Sequence, residues 1–352
     1  MHTFNLDQRI DRFIHYQGKS YRYFSGTSYL GMGLSETFQE KVIEGIRIHG
    51  LSHGQSRSNN VRLSIYDEFE SFFAVQAEAD SAIVMSSGYL AGSAALQICM
   101  DADEVWVAPD THPAILPTDL IPDIQQSFES WQEECLEKSA SLSSRKILIL
   151  GNAVDPLTSR VHDYAWIAKI GAKHQLSILI DDSHAFGVLG KGIFGSYAKL
   201  KSLPAEVLVS GSLGKGLGLP AGIILCSKAV QEKVLSLRIY GGASPCPPGY
   251  LYGFIHSQEV YASQRKKLST NVKAFFEKTT KIPQIKGSEA FPVFIYSEDH
   301  WAEKLEKALF ITSSFPYPTA SDPKINRIVV SAFHEAEDLD LLSAELEKLA
   351  SL

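Results

Sequence analysis

Short apolar runs recur through the middle of the chain, and helix-like segments separate them. The apolar runs span residues 82–85, 105–108, 147–150, 176–180, 207–210 and 223–226, and the amphipathic segments span 91–100, 164–174 and 228–236. Near-continuous apolar strands that alternate with helices are typical of a mostly parallel sheet covered on both faces. We therefore predict an α/β fold with a mostly parallel central sheet sandwiched by helices.

The two ends of the chain follow other patterns. Before the alternating region, a strand is predicted over residues 19–24 and helices over 36–49 and 63–75. After a Gly/Pro-rich break at 240–249, a long amphipathic stretch is followed by strands and a final helix, at 250–278, 291–296, 327–331 and 336–349. This order predicts an N-terminal arm (1–35), a large α/β domain (36–240) and a smaller C-terminal α+β domain (241–352).

Composition narrows the class of protein. The 352 residues carry a net charge of −7, which argues against non-specific nucleic-acid binding, and the basic cluster at 265–267 is too short to reverse this. The four cysteines contain no Cys-x-x-Cys pair, so neither a disulfide framework nor a metal site is indicated. The first 17 residues are polar and do not resemble a signal peptide, and no apolar run approaches membrane-spanning length. We therefore expect a cytoplasmic protein without a membrane span.

A glycine-rich loop follows the apolar run at 207–210. Lys215 is its only lysine and lies among five glycines between residues 211 and 222. The spacing does not match a P-loop, so Lys215 is either a phosphate ligand or a nucleophile that attacks an aldehyde. Taken alone, an ordinary loop lysine is an equally good interpretation.

Other polar residues also follow apolar runs. Asp181 and His184 follow one run, His112 follows another, and Ser87 and Gly88 lie between a strand and a helix. Ligands bind at the carboxyl ends of strands in such sheets, and helix N-termini bind phosphate. Each residue has an ordinary interpretation by itself: a turn carboxylate, a surface or packing histidine, a common strand–helix turn. Together they match the needs of pyridoxal phosphate.

At this point the sequence resembles the α-oxoamine synthase family of fold-type I pyridoxal-phosphate enzymes. The family pattern Asp-Asp/Glu-Ala-His-x-x-Gly-Val-x-Gly corresponds to DDSHAFGVLG, which begins at Asp181, and Thr/Ser-x-Gly-Lys-Ala-x-Gly corresponds to SLGKGLG, which begins at Ser212. The resemblance implies that Asp181 binds the pyridine nitrogen and that His184 lies by the phenolic oxygen. It also implies that Lys215 carries the cofactor as a Schiff base and that Ser212 binds its phosphate.

The same resemblance nominates further residues. The family's Arg-x-x-x-Ser/Thr-Ala-x-His motif corresponds to RIVVSAFH and makes Arg327 the clamp for the amino acid's carboxylate. His112 would stack on the cofactor ring, and Ser244 would reach the phosphate in the neighbouring subunit. Thr27 stands where the family has asparagine and is assigned to substrate binding. The backbone amides of a Ser-Gly-Tyr turn would bind the phosphate, and these are the amides of Ser87, Gly88 and Tyr89.

Several positions depart from the family pattern. Asn152 replaces a glutamate, Pro156 a serine, Val61 a glycine and Tyr66 a histidine. The residues predicted to bind the cofactor match, whereas those that shape the amino-acid and acyl pockets differ.

The resemblance implies a homodimer with sites at its interface. The reaction it implies is a decarboxylating condensation of a small amino acid with an acyl thioester, held on coenzyme A or on an acyl carrier protein. Alanine and a pimeloyl thioester, as in 8-amino-7-oxononanoate synthase, are the first expectation. Glycine C-acetyltransferase or a synthase with another acyl chain is the alternative. Another reaction on the same cofactor and a catalytically silent homologue with a regulatory or scaffold role also stay open.

Overall fold

The computed structural model describes residues 3–316 and 324–352. The strands are Phe13–Tyr16 (β1), Lys19–Phe24 (β2), Ser81–Met85 (β3), Glu104–Val107 (β4), Lys146–Asn152 (β5), Val154–Asp155 (β6), Arg160–Val161 (β7), Gln175–Asp181 (β8), Glu206–Ser212 (β9), Gly222–Cys226 (β10), Ile285–Ser288 (β11), Phe291–Tyr296 (β12), Phe310–Pro316 (β13) and Lys324–Val329 (β14). The α-helices are Glu36–His49 (α1), Ile65–Ala77 (α2), Gly88–Cys99 (α3), Phe128–Ser141 (α4), Tyr197–Leu200 (α5), Lys228–Ser236 (α6), Arg238–Gly242 (α7), Pro248–Ile255 (α8), Gln258–Thr279 (α9), Trp301–Lys307 (α10) and Ala336–Ala350 (α11).

Most elements predicted from periodicity are confirmed, and one is wrong in detail. The segment predicted as a helix over 164–174 forms only a 3-10 helix, Ala165–Lys169, because Ile170 is already extended (φ −68°, ψ 131°) before the chain enters β8. The amphipathic stretch at 250–278 forms two helices, α8 and α9, which are separated at 256–257. The apolar spacing of residues 164–174 fits a longer helix than the chain path permits.

The chain divides into two compact units. One contains residues 36–154 and 162–260, and the other contains residues 1–35, 155–161 and 261–352. The predicted domain boundaries after residues 35 and 240 remain a prediction, whereas the compact units divide after residues 35 and 260. No helix in the part of the chain that the structure describes is long and apolar enough to cross a membrane.

The first unit contains a six-stranded sheet in the order β3-β10-β9-β8-β5-β4. Strands β4, β5, β8 and β9 are mutually parallel, and β10 runs antiparallel to both of its neighbours. The predicted α/β class with a mostly parallel central sheet is therefore confirmed. Asn152 pairs with Asp181 and Asp181 pairs with Ser210, so the ends of β5, β8 and β9 meet at one edge of the sheet.

Helix α3 packs on one face of this sheet through small side chains. The helix and the sheet share a buried apolar cluster. It includes Ala91, Ala94 and Ala95 of α3 with Leu148, Leu150, Leu179, Leu208 and Ile224 of the strands, all at most 1% exposed. Alanines let the helix approach the strands closely. Met85 at the end of β3 pairs with Gly222, and Gly222 pairs with Ser212 at the end of β9, so α3 begins at the carboxyl end of the sheet.

The second unit contains a six-stranded sheet in the order β1-β2-β13-β14-β12-β11. Strand β13 is parallel to β2, so the N-terminal residues form part of the same sheet as the C-terminal ones. Asp338 near the start of α11 is fully buried and accepts hydrogen bonds from Arg12 and Arg22. These two guanidinium groups hold the pKa of the Asp338 carboxyl below its usual value despite burial.

Candidate active site

The Asp181 carboxylate lies at the end of β8 and is 4% exposed. Its Oδ1 atom accepts a hydrogen bond from the Ser183 backbone N–H at 2.9 Å. Its Oδ2 atom is buried, and none of residues 3–316 and 324–352 donates a hydrogen bond to it. A buried carboxylate oxygen without a donor is costly, so this position favours a ligand that presents an N–H group.

Lys215 and His184 meet in the same unit. The Lys215 Nζ atom lies 2.8 Å from His184 Nε2. Gly216, which follows the lysine, packs so closely on the carbonyl of Phe186 that a Cβ atom there would overlap it. The loop that carries Lys215 therefore rests directly on the turn that carries His184.

The His112 ring is half-buried and fixed in orientation. Its Nδ1 atom accepts a hydrogen bond from the Ala114 N–H at 3.1 Å, and its own backbone N–H donates to Asn152 Oδ1 at 3.1 Å. Burial lowers the pKa of His112, an effect that the negative charge of Asp181 opposes and the positive charge of Lys215 reinforces. The ring is therefore neutral near pH ~7 and carries its proton on Nε2.

The N-terminus of α3 packs against the end of β9. Ser87 caps the helix, because its Oγ atom accepts a hydrogen bond from the Leu90 N–H at 3.2 Å. A Cβ atom on Gly88 would come within 2.6 Å of the Ser212 backbone, so only glycine allows this contact. The first N–H groups of a helix have no acceptor within the helix and are suited to an anion. The Tyr89 side chain is 61% exposed.

Three other predicted residues belong to other parts of the chain. Ser244 is exposed between α7 and α8 of the first unit. Thr27 and Arg327 belong to the second unit. Arg327 lies on β14, where its Nη1 atom donates a long hydrogen bond of 3.5 Å to the Pro156 carbonyl and its guanidinium carbon lies 5.5 Å from the centre of the Phe315 ring. The roles predicted for these three residues remain predictions.

Comparison with known proteins shows the family of this chain. Residues 28–343 match the family described as aminotransferase class I and II, which is most of the chain. The chain belongs to the aminotransferase class I and II family. A curated relative from Petrotoga mobilis, named 8-amino-7-oxononanoate synthase, is 25% identical over 98% of this chain and 92% of its own length.

Solved structures with the same fold include two serine palmitoyltransferases. The enzyme from Sphingomonas wittichii has a TM-score of 0.80 at 17% identity and covers 97% of this chain and 90% of its own. The enzyme from S. paucimobilis, solved with PLP and myriocin bound, has a TM-score of 0.77 at 16% identity and covers 95% and 89% of the two chains. These likenesses establish the fold, and they confirm the fold-type I architecture predicted from the sequence.

The side chain of Asn152, which departs from the family pattern, supports His112 in a way that the sequence did not predict. Asn152 Nδ2 donates to the Asp110 carbonyl and, at 3.2 Å, to Asp110 Oδ2. Asp110 Oδ2 also lies 3.0 Å from His162 Nε2, and the His162 ring stacks on Phe128 with centroids 3.9 Å apart. Asn152 is therefore both an acceptor for His112 and a donor to Asp110, which a glutamate cannot be. No local signal joins these residues, because the strand register alone brings them together.

Asp182 is a second buried carboxyl next to Asp181. Its Oδ1 atom accepts from the Ser196 hydroxyl at 2.7 Å, and its Oδ2 atom accepts from the Ser196 N–H at 2.6 Å. Burial raises the pKa of Asp182 to about 7, more than these two hydrogen bonds lower it. Asp182 thus holds the turn between β8 and the following loop, and it titrates near neutral pH.

The remaining departures from the family pattern have separate structural surroundings. Tyr66, which replaces a histidine, is buried, and its hydroxyl group donates to the Cys246 carbonyl at 2.7 Å. Val61, which replaces a glycine, is 64% exposed.

Proposed function

We propose that this chain is a pyridoxal-phosphate-dependent acyltransferase. It condenses a small amino acid with an acyl thioester, releases the thiol and carbon dioxide, and forms an α-amino ketone. The observation that carries the proposal is the 2.8 Å approach of Lys215 Nζ to His184 Nε2, in the unit where Asp181 Oδ2 lacks a donor. The family match and the relative named 8-amino-7-oxononanoate synthase support it.

The residues of the site fit pyridoxal phosphate. The buried Asp181 Oδ2 atom suits an N–H group on the cofactor's ring nitrogen, since no described residue satisfies this oxygen. The N-terminus of α3, where Gly88 lies against Ser212, suits the phosphate. His184 would face the phenolic oxygen, and the neutral, oriented ring of His112 would stack on the cofactor.

Each side chain then has a defined task. When bound, pyridoxal phosphate supplies an electron sink for the carbon next to the amino group. Lys215 would hold the cofactor's aldehyde group through its Nζ atom, and the same atom would take the α-proton of the amino acid and later return it. Asp181 would hold the ring nitrogen of the cofactor in its protonated form. His112 Nε2, which carries the ring proton because Nδ1 accepts a hydrogen bond from the Ala114 N–H, can donate to the acyl carbonyl. Arg327 would clamp the substrate carboxylate.

The substrates we propose are alanine and a pimeloyl thioester, as in 8-amino-7-oxononanoate synthase. The name of the Petrotoga mobilis relative supports this choice. The thioester is carried by coenzyme A or by an acyl carrier protein. We also propose a homodimer in which Ser244 contributes to the phosphate site of the neighbouring subunit.

Absorbance spectroscopy tests the central claim. The wild type, mixed with pyridoxal phosphate, should develop a visible absorbance band that changes when alanine is added. Lys215→Ala should lose this band and the release of thiol from pimeloyl thioesters. Lys199→Ala is the matched control, because Lys199 pairs with exposed Asp163 in the same unit and should leave both properties unchanged.

The outcomes separate the alternatives. A wild type that binds no pyridoxal phosphate contradicts the proposal. A coloured protein that releases no thiol from any thioester with alanine, glycine or serine is instead a silent homologue. If glycine and acetyl thioester are preferred, the reaction class stands and the proposed substrates are wrong.

A further inference from the structure

The regular backbone hydrogen bonds between β8 and β9 end before the last residue of β9. The Asp182 N–H donates to the Ser210 carbonyl at 2.8 Å, which is the last regular bond between the two strands. The Asp182 carbonyl is then taken by N–H groups of its own turn, including that of Phe186. The N–H of Ser212, the last residue of β9, therefore needs an acceptor from outside the ladder.

The Ser183 hydroxyl provides this acceptor. Its Oγ atom accepts a hydrogen bond from the Ser212 N–H at 2.8 Å. The backbone N–H of Ser183 donates to Asp181 Oδ1 at 2.9 Å. One residue thus contacts both the Asp181 carboxylate and the backbone that leads, three residues later, to Lys215.

We propose that Ser183 is a positioning residue that holds the turn of Asp181 and His184 in register with the loop of Ser212 and Lys215. The approach of Lys215 Nζ to His184 depends on this register, because the two side chains come from different turns. The consequence for the cofactor rests on the proposed function. Where the family pattern has alanine, this chain has Ser183, so the turn itself accommodates the smaller side chain.

Burial makes the hydroxyl effective. Ser183 is 3% exposed, so its Oγ atom accepts from the Ser212 N–H away from bulk water, and removal of this atom takes away the acceptor of a half-buried N–H group. In Ser183→Ala the loop should therefore sample positions in which Lys215 no longer lies at His184. A ligand that needs the original position then binds more weakly, in proportion to the fraction of molecules that still have it.

Ser210→Ala is the matched control. Ser210 is also fully buried on β9, but its Oγ atom has no hydrogen-bond partner among the described residues. Both substitutions remove one buried hydroxyl group, and only Ser183→Ala removes the bond between the two turns.

The first experiment measures amide hydrogen exchange at Ser212 in protein without cofactor. Ser183→Ala should raise the exchange rate about tenfold relative to wild type, which corresponds to the loss of one buried hydrogen bond. Ser210→Ala should exchange like wild type. Unchanged exchange at Ser212 in Ser183→Ala would overturn the proposal.

The second experiment titrates each protein with pyridoxal phosphate and follows the visible absorbance. Ser183→Ala should bind about tenfold more weakly, and Ser210→Ala should bind like wild type. Unchanged affinity together with a lower Tm would show a merely structural serine and overturn the positioning role. A wild type that fails to bind refutes the proposed function, and the exchange result then decides alone whether Ser183 joins the two turns.

Discussion

Replacement of His334 by glutamine should remove an acid-sensitive part of the stability of the second unit. His334 is fully buried, and its ring stacks on Phe24 with centroids 4.0 Å apart. Nδ1 accepts a hydrogen bond from the Ser331 N–H at 3.0 Å, and Nε2 donates to the Tyr23 carbonyl at 2.9 Å. This pair of bonds requires the neutral ring, since a protonated Nδ1 could no longer accept.

The size of the effect follows from the pKa of His334. Burial lowers it from 6.5 to about 4, against smaller opposing effects of the Tyr23 carbonyl and the Asp338 charge, while the charges of Arg12 and Lys267 lower it further. Because the folded-state pKa is the lower one, the unfolded chain binds the proton first. The stabilisation is fully present above pH ~6.5 and is lost as the pH falls towards ~4, with a total of about 3 kcal/mol.

Urea unfolding followed by circular dichroism measures this difference. Between pH ~7.5 and ~4.5 the wild type should lose about 2.5 kcal/mol more of its free energy of unfolding than His334→Gln does. Glutamine keeps one acceptor and one donor but does not titrate, so it serves as the non-titrating reference. Parallel pH profiles for the two proteins would refute the reasoning.

Three further substitutions probe the site itself. Asp182→Asn copies the hydrogen-bonding groups of the protonated carboxyl, whose pKa is raised to about 7. Between pH ~4 and ~7 its free energy of unfolding in urea should therefore rise relative to that of the wild type. A difference between the two proteins that stays constant with pH would contradict a buried titrating carboxyl. Gly222→Ala should lower the free energy of unfolding in urea by about 3 kcal/mol, because the added Cβ atom would overlap the backbone of Ser87 before α3. At Gly242 the added Cβ atom would meet open space, so Gly242→Ala should change the free energy of unfolding little. Asn152→Glu should lower stability by about 2 kcal/mol in the same assay, because it places a carboxylate against the Asp110 carbonyl and carboxylate. If Gly222→Ala or Asn152→Glu were as stable as the wild type, the reasoning for that substitution would be refuted.

The sequence alone predicted the local elements and the residues that match the family motifs. Apolar periodicity placed the strands of the first sheet and gave helix α1 its observed limits, Glu36–His49. The segment around 164–174 failed the same test, because its apolar spacing fits a helix while the path into β8 does not allow one. Apolar periodicity predicts a helix or strand reliably where no long-range contact imposes a different chain path.

The cluster around Lys215 also followed largely from the sequence. Its members lie at ends of neighbouring strands, and the strand order of an α/β sheet brings such ends together. The motif at Asp181 and the glycine-rich loop were enough to nominate Asp181, His184 and Lys215. The approach of Lys215 to His184 agrees with that prediction, whereas the chemical role of each residue stays a proposal.

Only the tertiary structure decided which groups support these residues. Ser183 and Ser212 are joined by one hydrogen bond across 29 positions of sequence, and Asp110 and His162 across 52. The pairing of β13 with β2, which unites the two ends of the chain in one sheet, is likewise invisible in local pattern. Such contacts depend on strand register and on the exact exit of each turn, and a single residue's shift would break them, so periodicity and composition carry no information about them.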